Sequence, residues 1–336
     1  MQRWPLILTM LFGLSSLEAC GPSSFYYNCH GAEEIDATTR SAVTSESLEF
    51  TKAAFAGDTL QAFGHLTEEA KKVATAEQLG NILQNIKTSG PYDELSVERV
   101  MTVTGRGHMQ QESSVADCAK DASLTESNVR VAISNVPEQA YALVSAKGSQ
   151  ERWVATLWLI PKGGKWQIQS FQITIGRAAG KPVGEIVALA RQENSRGHTL
   201  NTGILYAAAA SLAARAPFYH TGLEDAIQKE TQQASAPEEF RGNPPFNLKG
   251  STGSFALVRL NSIAINGKLY LVLAQEVPPW KDSKEIEQKN RALIKLFAER
   301  FPEYSSVFAG LVTEATEHAG TNGWRTVLDN SAISGH

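Results

Sequence analysis

Three cysteines, Cys20, Cys29 and Cys118, and seven histidines are the residues of this chain best suited to nucleophilic, redox or metal chemistry. Their spacing fits none of the usual devices. There is no His-Glu-x-x-His for zinc, no Gly-x-Ser-x-Gly nucleophile elbow, no Ser-x-x-Lys pair and no Gly-x-x-x-x-Gly-Lys phosphate loop. The histidines are scattered and no cysteines stand as Cys-x-x-Cys, so spacing points to no metal site and no cofactor. Sites assembled from distant residues leave no such local trace, which keeps an enzyme open as an alternative. Trp280 follows Pro278-Pro279, and a Trp beside rigid prolines is a candidate anchor for a partner; a local lid over the C-terminal region is the other reading. Lys plus Arg number 31 against 35 Asp plus Glu, with no long basic run, so nucleic acid finds little to hold by counterion release.

The first residues place Cys20 in a more specific setting. Arg3 is followed by an apolar stretch from Leu6 to Leu17, too short to cross a hydrocarbon core of about 30 Å comfortably as a helix, and then by Leu17-Glu18-Ala19-Cys20-Gly21. This resembles a bacterial lipoprotein signal, with Leu at −3, a small residue at −1 and the lipid-bearing Cys; Glu18 at −2 departs from the pattern. The resemblance implies cleavage of residues 1–19, lipid on Cys20, and a tether over residues 20–41 beginning Gly21-Pro22-Ser23-Ser24. Gly21 in place of Asp at +2 implies the outer membrane, facing the periplasm. In that oxidising compartment Cys29 and Cys118 form an even pair, expected as a disulfide closing a loop of roughly 90 residues, worth about 4 kcal/mol on the chain-entropy model. Two unpaired thiols are the alternative.

The elements that must position any site divide the rest of the 336-residue chain into two domains. From Ala42 to Ile86 apolar residues recur at the helical period, with stops at Gly57-Asp58 and Gly90-Pro91 and caps at Thr67 and Thr75. Leu95–Thr104, Asn128–Ser134, Gln139–Ala146, Arg152–Pro161 and Trp166–Ile175 then read as a meander of strands rich in Val, Ile, Thr and aromatics. Three helices over a bent antiparallel sheet make an α+β domain over residues 42–176. Residues 183–235 read as a helical connector, with Val183–Arg196, Leu200–Arg215 and Leu223–Ala234 as its helices. Residues 250–330 read as a small ββααβ domain. Its strands Ser254–Ile265 and Lys268–Val277 are joined by Asn266-Gly267, and its helices run from Asp282 to about Phe301 and over Glu303–His318.

Phe55-Ala56-Gly57-Asp58 with Phe63 and Leu66, and Leu157-Trp158-Leu159-Ile160-Pro161-Lys162-Gly163-Gly164-Lys165-Trp166-Gln167-Ile168, resemble the nuclear transport factor two-like superfamily, with its ketosteroid-isomerase-like domains. The resemblance covers residues 42–176 and implies a cone enclosed by the curved sheet. In catalytic relatives a carboxylate acts as base in that cone and a phenol or raised-pKa acid holds the oxyanion. Tyr92, Asp93 and His65, near where helices would meet sheet, are the weak candidates that this implies; ordinary turn and helix-end chemistry is the favoured account of them. The expected function is a non-catalytic, lipid-anchored envelope module that binds an envelope protein or a small apolar ligand. An envelope isomerase or hydrolase using the cone is the alternative, and it requires an open, polar-lined cavity.

Overall fold

The computed structural model describes residues 26–88, 92–106, 113–118, 128–148, 152–250, 253–280, 282–317 and 323–335. The expected signal segment and Cys20 lie outside the described residues. The protein is a mixed α+β chain in two compact units. One takes the described residues as far as Ile175 together with Ala214–Leu223, and the other takes Gly176–Ala213 and the chain from Glu224 onward.

The first unit opens on strand β1 (Tyr26–His30), where a tether was expected, and continues through helices α1 (Ala37–Ala56), α2 (Thr59–Gly64), α3 (Glu68–Val73) and α4 (Ala76–Thr88). Four helices therefore stand among the described residues where three were expected. The first begins at Ala37 instead of Ala42 because Asp36 caps it, its carboxylate accepting the Thr38 and Thr39 amides at 3.0 and 2.9 Å. Gly57, at φ 71°, ends it. Thr67 and Thr75 cap the third and fourth helices through the amides of Ala70 and Gln78.

Strands β2 (Tyr92–Arg106), β3 (Ser113–Asp117), β4 (Val129–Ser134), β5 (Glu138–Gly148), β6 (Arg152–Lys162) and β7 (Lys165–Ile175) follow. The main sheet is antiparallel in the order β1-β2-β5-β6-β7. The segment 128–134, expected inside this meander, instead pairs with β3 and with Tyr219–Thr221 in a second, three-stranded sheet. Burial explains the separation. In β4, Val129, Val131 and Ile133 are buried and Arg130 is exposed, the alternation of a strand covered on one face, whereas β5 from Gln139 to Ala146 is buried throughout. Ala140, Ala142, Val144 and Ala146 join the helix-side core with Phe50, Leu83, Leu157 and Ile168. Tyr141, Leu143, Trp158 and Ile160 join Val131, Ile133 and Tyr219 on the other side. Cys29 of β1 and Cys118, just beyond β3, are bonded in a disulfide with a Cα–Cα distance of 5.5 Å.

The second unit begins with a short hairpin, β8 (Arg177–Ala178) and β9 (Lys181–Pro182), then α5 (Val183–Ser195) and α6 (Thr199–Ala213). The chain returns to the first unit for β10 (Tyr219–Thr221) before α7 (Gly222–Gln233), so residues 183–235 are no separate connector. Strands β11 (Phe246–Gly250), β12 (Gly253–Ile265), β13 (Lys268–Val277), β14 (Gly310–Glu317) and β15 (Gly323–Asp329) form one sheet in sequence order, with α8 (Ser283–Arg300) crossing between the parallel pair β13 and β14. A short helix, α9 (Asn330–Ser334), follows. Asn266 and Gly267 both have positive φ, 49° and 73°, as the tight hairpin between β12 and β13 requires. The expected helix over 303–318 is absent: a single 3-10 turn at Pro302–Ser306 leads into β14. Leu311, Val312 and Thr313 are fully buried beside β13, and this burial outweighs the weak helical pattern of the segment.

Candidate functional site

Of the three residues proposed from sequence as catalytic, His65 and Tyr92 meet α1 at different places. Tyr92 packs edge-on against Phe55, with ring centroids 5.4 Å apart. His65 packs edge-on against Phe50 and bonds through Nδ1 to Glu46 Oε1 at 2.8 Å. Glu46 and Phe55 are separated by about 13 Å along the helix axis at 1.5 Å per residue, so the fold does not bring His65 and Tyr92 to one site. The Asp93 side chain lies outside the described residues. The space between helices and sheet, where the resemblance places a cavity, is filled by apolar side chains. Phe50, Leu83, Leu157, Leu159 and Ile168 are fully buried there.

At the rim of that core His65 belongs to a group that spacing alone did not reveal. Glu46 and Glu49, one turn apart on α1, and His65, the residue after α2, offer three ligand atoms within 4.8 Å of one another. Glu46 and His65 are partly buried and Glu49 is exposed. The His65 backbone is fixed on both sides: its amide donates to Ala62 O, its carbonyl accepts the Ile168 amide at 2.9 Å, and Leu66 bridges to β7. Glu49 accepts from Ser45 Oγ at 2.9 Å. The hydrogen bond to Glu46, and the field of Glu46 and Glu49 against a smaller opposing effect of burial, raise the His65 pKa above its ordinary value. The arrangement can hold a proton or a cation. Two glutamates on α1 and a histidine at the end of α2 leave no sequence signature beyond the Glu46–Glu49 spacing.

The second unit contains a buried carboxylate of a different kind. Glu193, 1 % exposed, accepts hydrogen bonds from Arg196, His198, Asn201 and Ser306 at 2.7 to 2.8 Å. Burial alone would raise its pKa, but these four donors outweigh it and hold the group at about 2. Asn201 of α6, His198 just before it and Ser306 of the turn before β14 tie α5 to its neighbours, so the cluster braces the unit. The same unit carries a wide-mouthed groove of about 340 Å³ lined by Lys181, Lys268, Leu269, Val307, Phe308 and Asn330, among others. Trp280 is partly buried against Val277, Ile286 and Ala315, the position of a local lid.

Comparison with family models, with curated proteins and with solved structures found no match. Among the described residues no helix is long and apolar enough to cross a membrane.

Proposed function

We propose that the protein is a lipid-anchored component of a bacterial cell envelope, cleaved before Cys20, that binds a ligand or protein partner and catalyses no reaction. The observation that carries this reading is the partition of the three cysteines. Cys29 and Cys118 bond to each other, as suits an oxidising compartment, and Cys20 is left at the end of Leu17-Glu18-Ala19-Cys20. The nuclear-transport-factor-two-like cone belongs to the same proposal. It is supported by helices stacked on one face of an antiparallel sheet that ends in the Trp158–Ile168 hairpin. The packed interior of that layer speaks for binding at a surface and against an isomerase or hydrolase working inside it. The shallow groove beside Lys181 and Lys268 is one surface at which this reading would place a contact.

Growth of the producing cells with a palmitate analogue tests the address. Label is expected on the parent protein and is expected to vanish in Cys20→Ser; label retained in that variant, or a mature N-terminus found elsewhere by mass spectrometry, rejects the anchor. The binding half of the reading fails if the lipidated protein recovers no envelope component and gains no thermal stability from any small-molecule panel.

A further inference from the structure

We propose that Glu46, Glu49 and His65 bind a divalent transition-metal cation of the zinc type. The inference stands independently of the envelope reading. A tetrahedral zinc shell has bonds of about 2.0–2.2 Å, which puts neighbouring ligand atoms roughly 3.4 Å apart. The three donors span at most 4.8 Å, so closure asks for little more than 1 Å of movement. Glu49, exposed and on a flexible stem, is the side chain free to make it. The ligand that must stay still is already still, since His65 is clamped between Ala62 and Ile168 and its ring rests edge-on against Phe50.

Donor chemistry selects the class of metal. An imidazole nitrogen with two carboxylates suits zinc and its neighbours, whereas magnesium and calcium favour sites made of oxygen alone. Among the described residues neither Glu46 nor Glu49 forms an ion pair with a lysine or arginine, so no basic side chain competes with a cation for them. The 2.8 Å bond between His65 Nδ1 and Glu46 is the metal-free arrangement: the cation takes the place of the proton these two atoms share, and that proton leaves to solvent. Three protein ligands leave a fourth position, which a water molecule fills.

The test uses the full chain with zinc alone, and cobalt alone as a spectroscopic probe. Titration calorimetry is expected to give one zinc per chain, and cobalt the visible absorption of a tetrahedral site. Glu49→Gln, at an exposed position, and His65→Gln are each expected to weaken zinc at least about ten-fold and to abolish the cobalt signal. Circular dichroism is expected to show both variants folded; should His65→Gln unfold, Glu49→Gln alone decides. Unchanged affinity in Glu49→Gln, or no zinc binding by the parent chain, overturns the proposal. Displacement of zinc by equimolar magnesium overturns the assignment of metal class.

Discussion

A carboxylate that is 1 % exposed must be held by donors or give up its charge, and Glu193 is held by four. Its pKa lies at about 2 against an ordinary 4.5. A depressed carboxylate contributes stability that is present above its unfolded pKa and lost as pH falls through the folded one. Unfolding free energy is therefore expected to drop by roughly 3 kcal/mol between about pH 5 and pH 2 through this group alone, at about 1.4 kcal/mol per pKa unit. Glu193→Gln is expected to remove that portion of the acid sensitivity and to lower stability at pH 7 by about 3 kcal/mol, read from urea unfolding. An unaltered acid profile in the variant would show that the cluster is not braced by charge. His65 runs the other way. Its pKa is raised, so the stability from its bond to Glu46 is complete below about 6.5 and lost as pH rises through the folded value. The difference in urea midpoint between parent and His65→Gln is expected to shrink on going from pH 6 to pH 9 in metal-free buffer; a constant difference would contradict the charge pairing with Glu46.

At the scale of elements, two glycines separate geometry from propensity. A Cβ on Gly310 would run into the Leu328 carbonyl and stand 2.9 Å from the Asp329 Cα, both backbone of the neighbouring strand β15. Gly310→Ala is therefore expected to force β14 and β15 apart and to cost at least about 3 kcal/mol. Gly203, inside α6, has nothing within 4 Å of such a Cβ, and Gly203→Ala is expected to stabilise by up to about 1 kcal/mol through helix propensity. Thermal unfolding of the two variants checks both, and a tolerated Gly310→Ala would mean that the pairing of these strands yields. The same strand shows where sequence patterns stop being legible. Caps at Thr67 and Thr75, the Asn266-Gly267 hairpin and the strands from Leu95 to Ile175 are local signals, each set by a few neighbouring residues, and the fold contains them. The strand at Gly310–Glu317 is fixed by a partner about forty residues earlier, and the departure of β4 from the main sheet by a partner about ninety later, so neither has a local signature. The start of α1 was legible in principle, since Asp36 precedes Ala-Thr-Thr as a capping residue should. The group of Glu46, Glu49 and His65 was not, because only the packing of α1 against the end of α2 sets it.

At the scale of the molecule, the bond between Cys29 and Cys118 is the covalent link beyond the backbone, and it joins the main sheet of the first unit to the small one. β1 lies at the edge of the main sheet and Cys118 follows β3 at the edge of the small one. Between the sheets lies an apolar layer that includes Met101, Val131, Tyr141 and Trp158, and the Asp117 amide donates one hydrogen bond to the Tyr27 hydroxyl at 3.0 Å. The cysteines are 89 residues apart in sequence, so the chain-entropy model gives the cross-link roughly 4 kcal/mol by restricting the unfolded chain. Both ends lie in the first unit, and so do both sheets they join. Cys29→Ser with Cys118→Ser is therefore expected to lower the stability of that unit by about this amount. Amide exchange should quicken in β4, β5 and β6 while β13 and β14 of the second unit keep their protection. If exchange rises equally in both units, the two unfold as one and the cross-link supports the entire chain; if it rises in neither, the apolar layer between the sheets holds them without the bond.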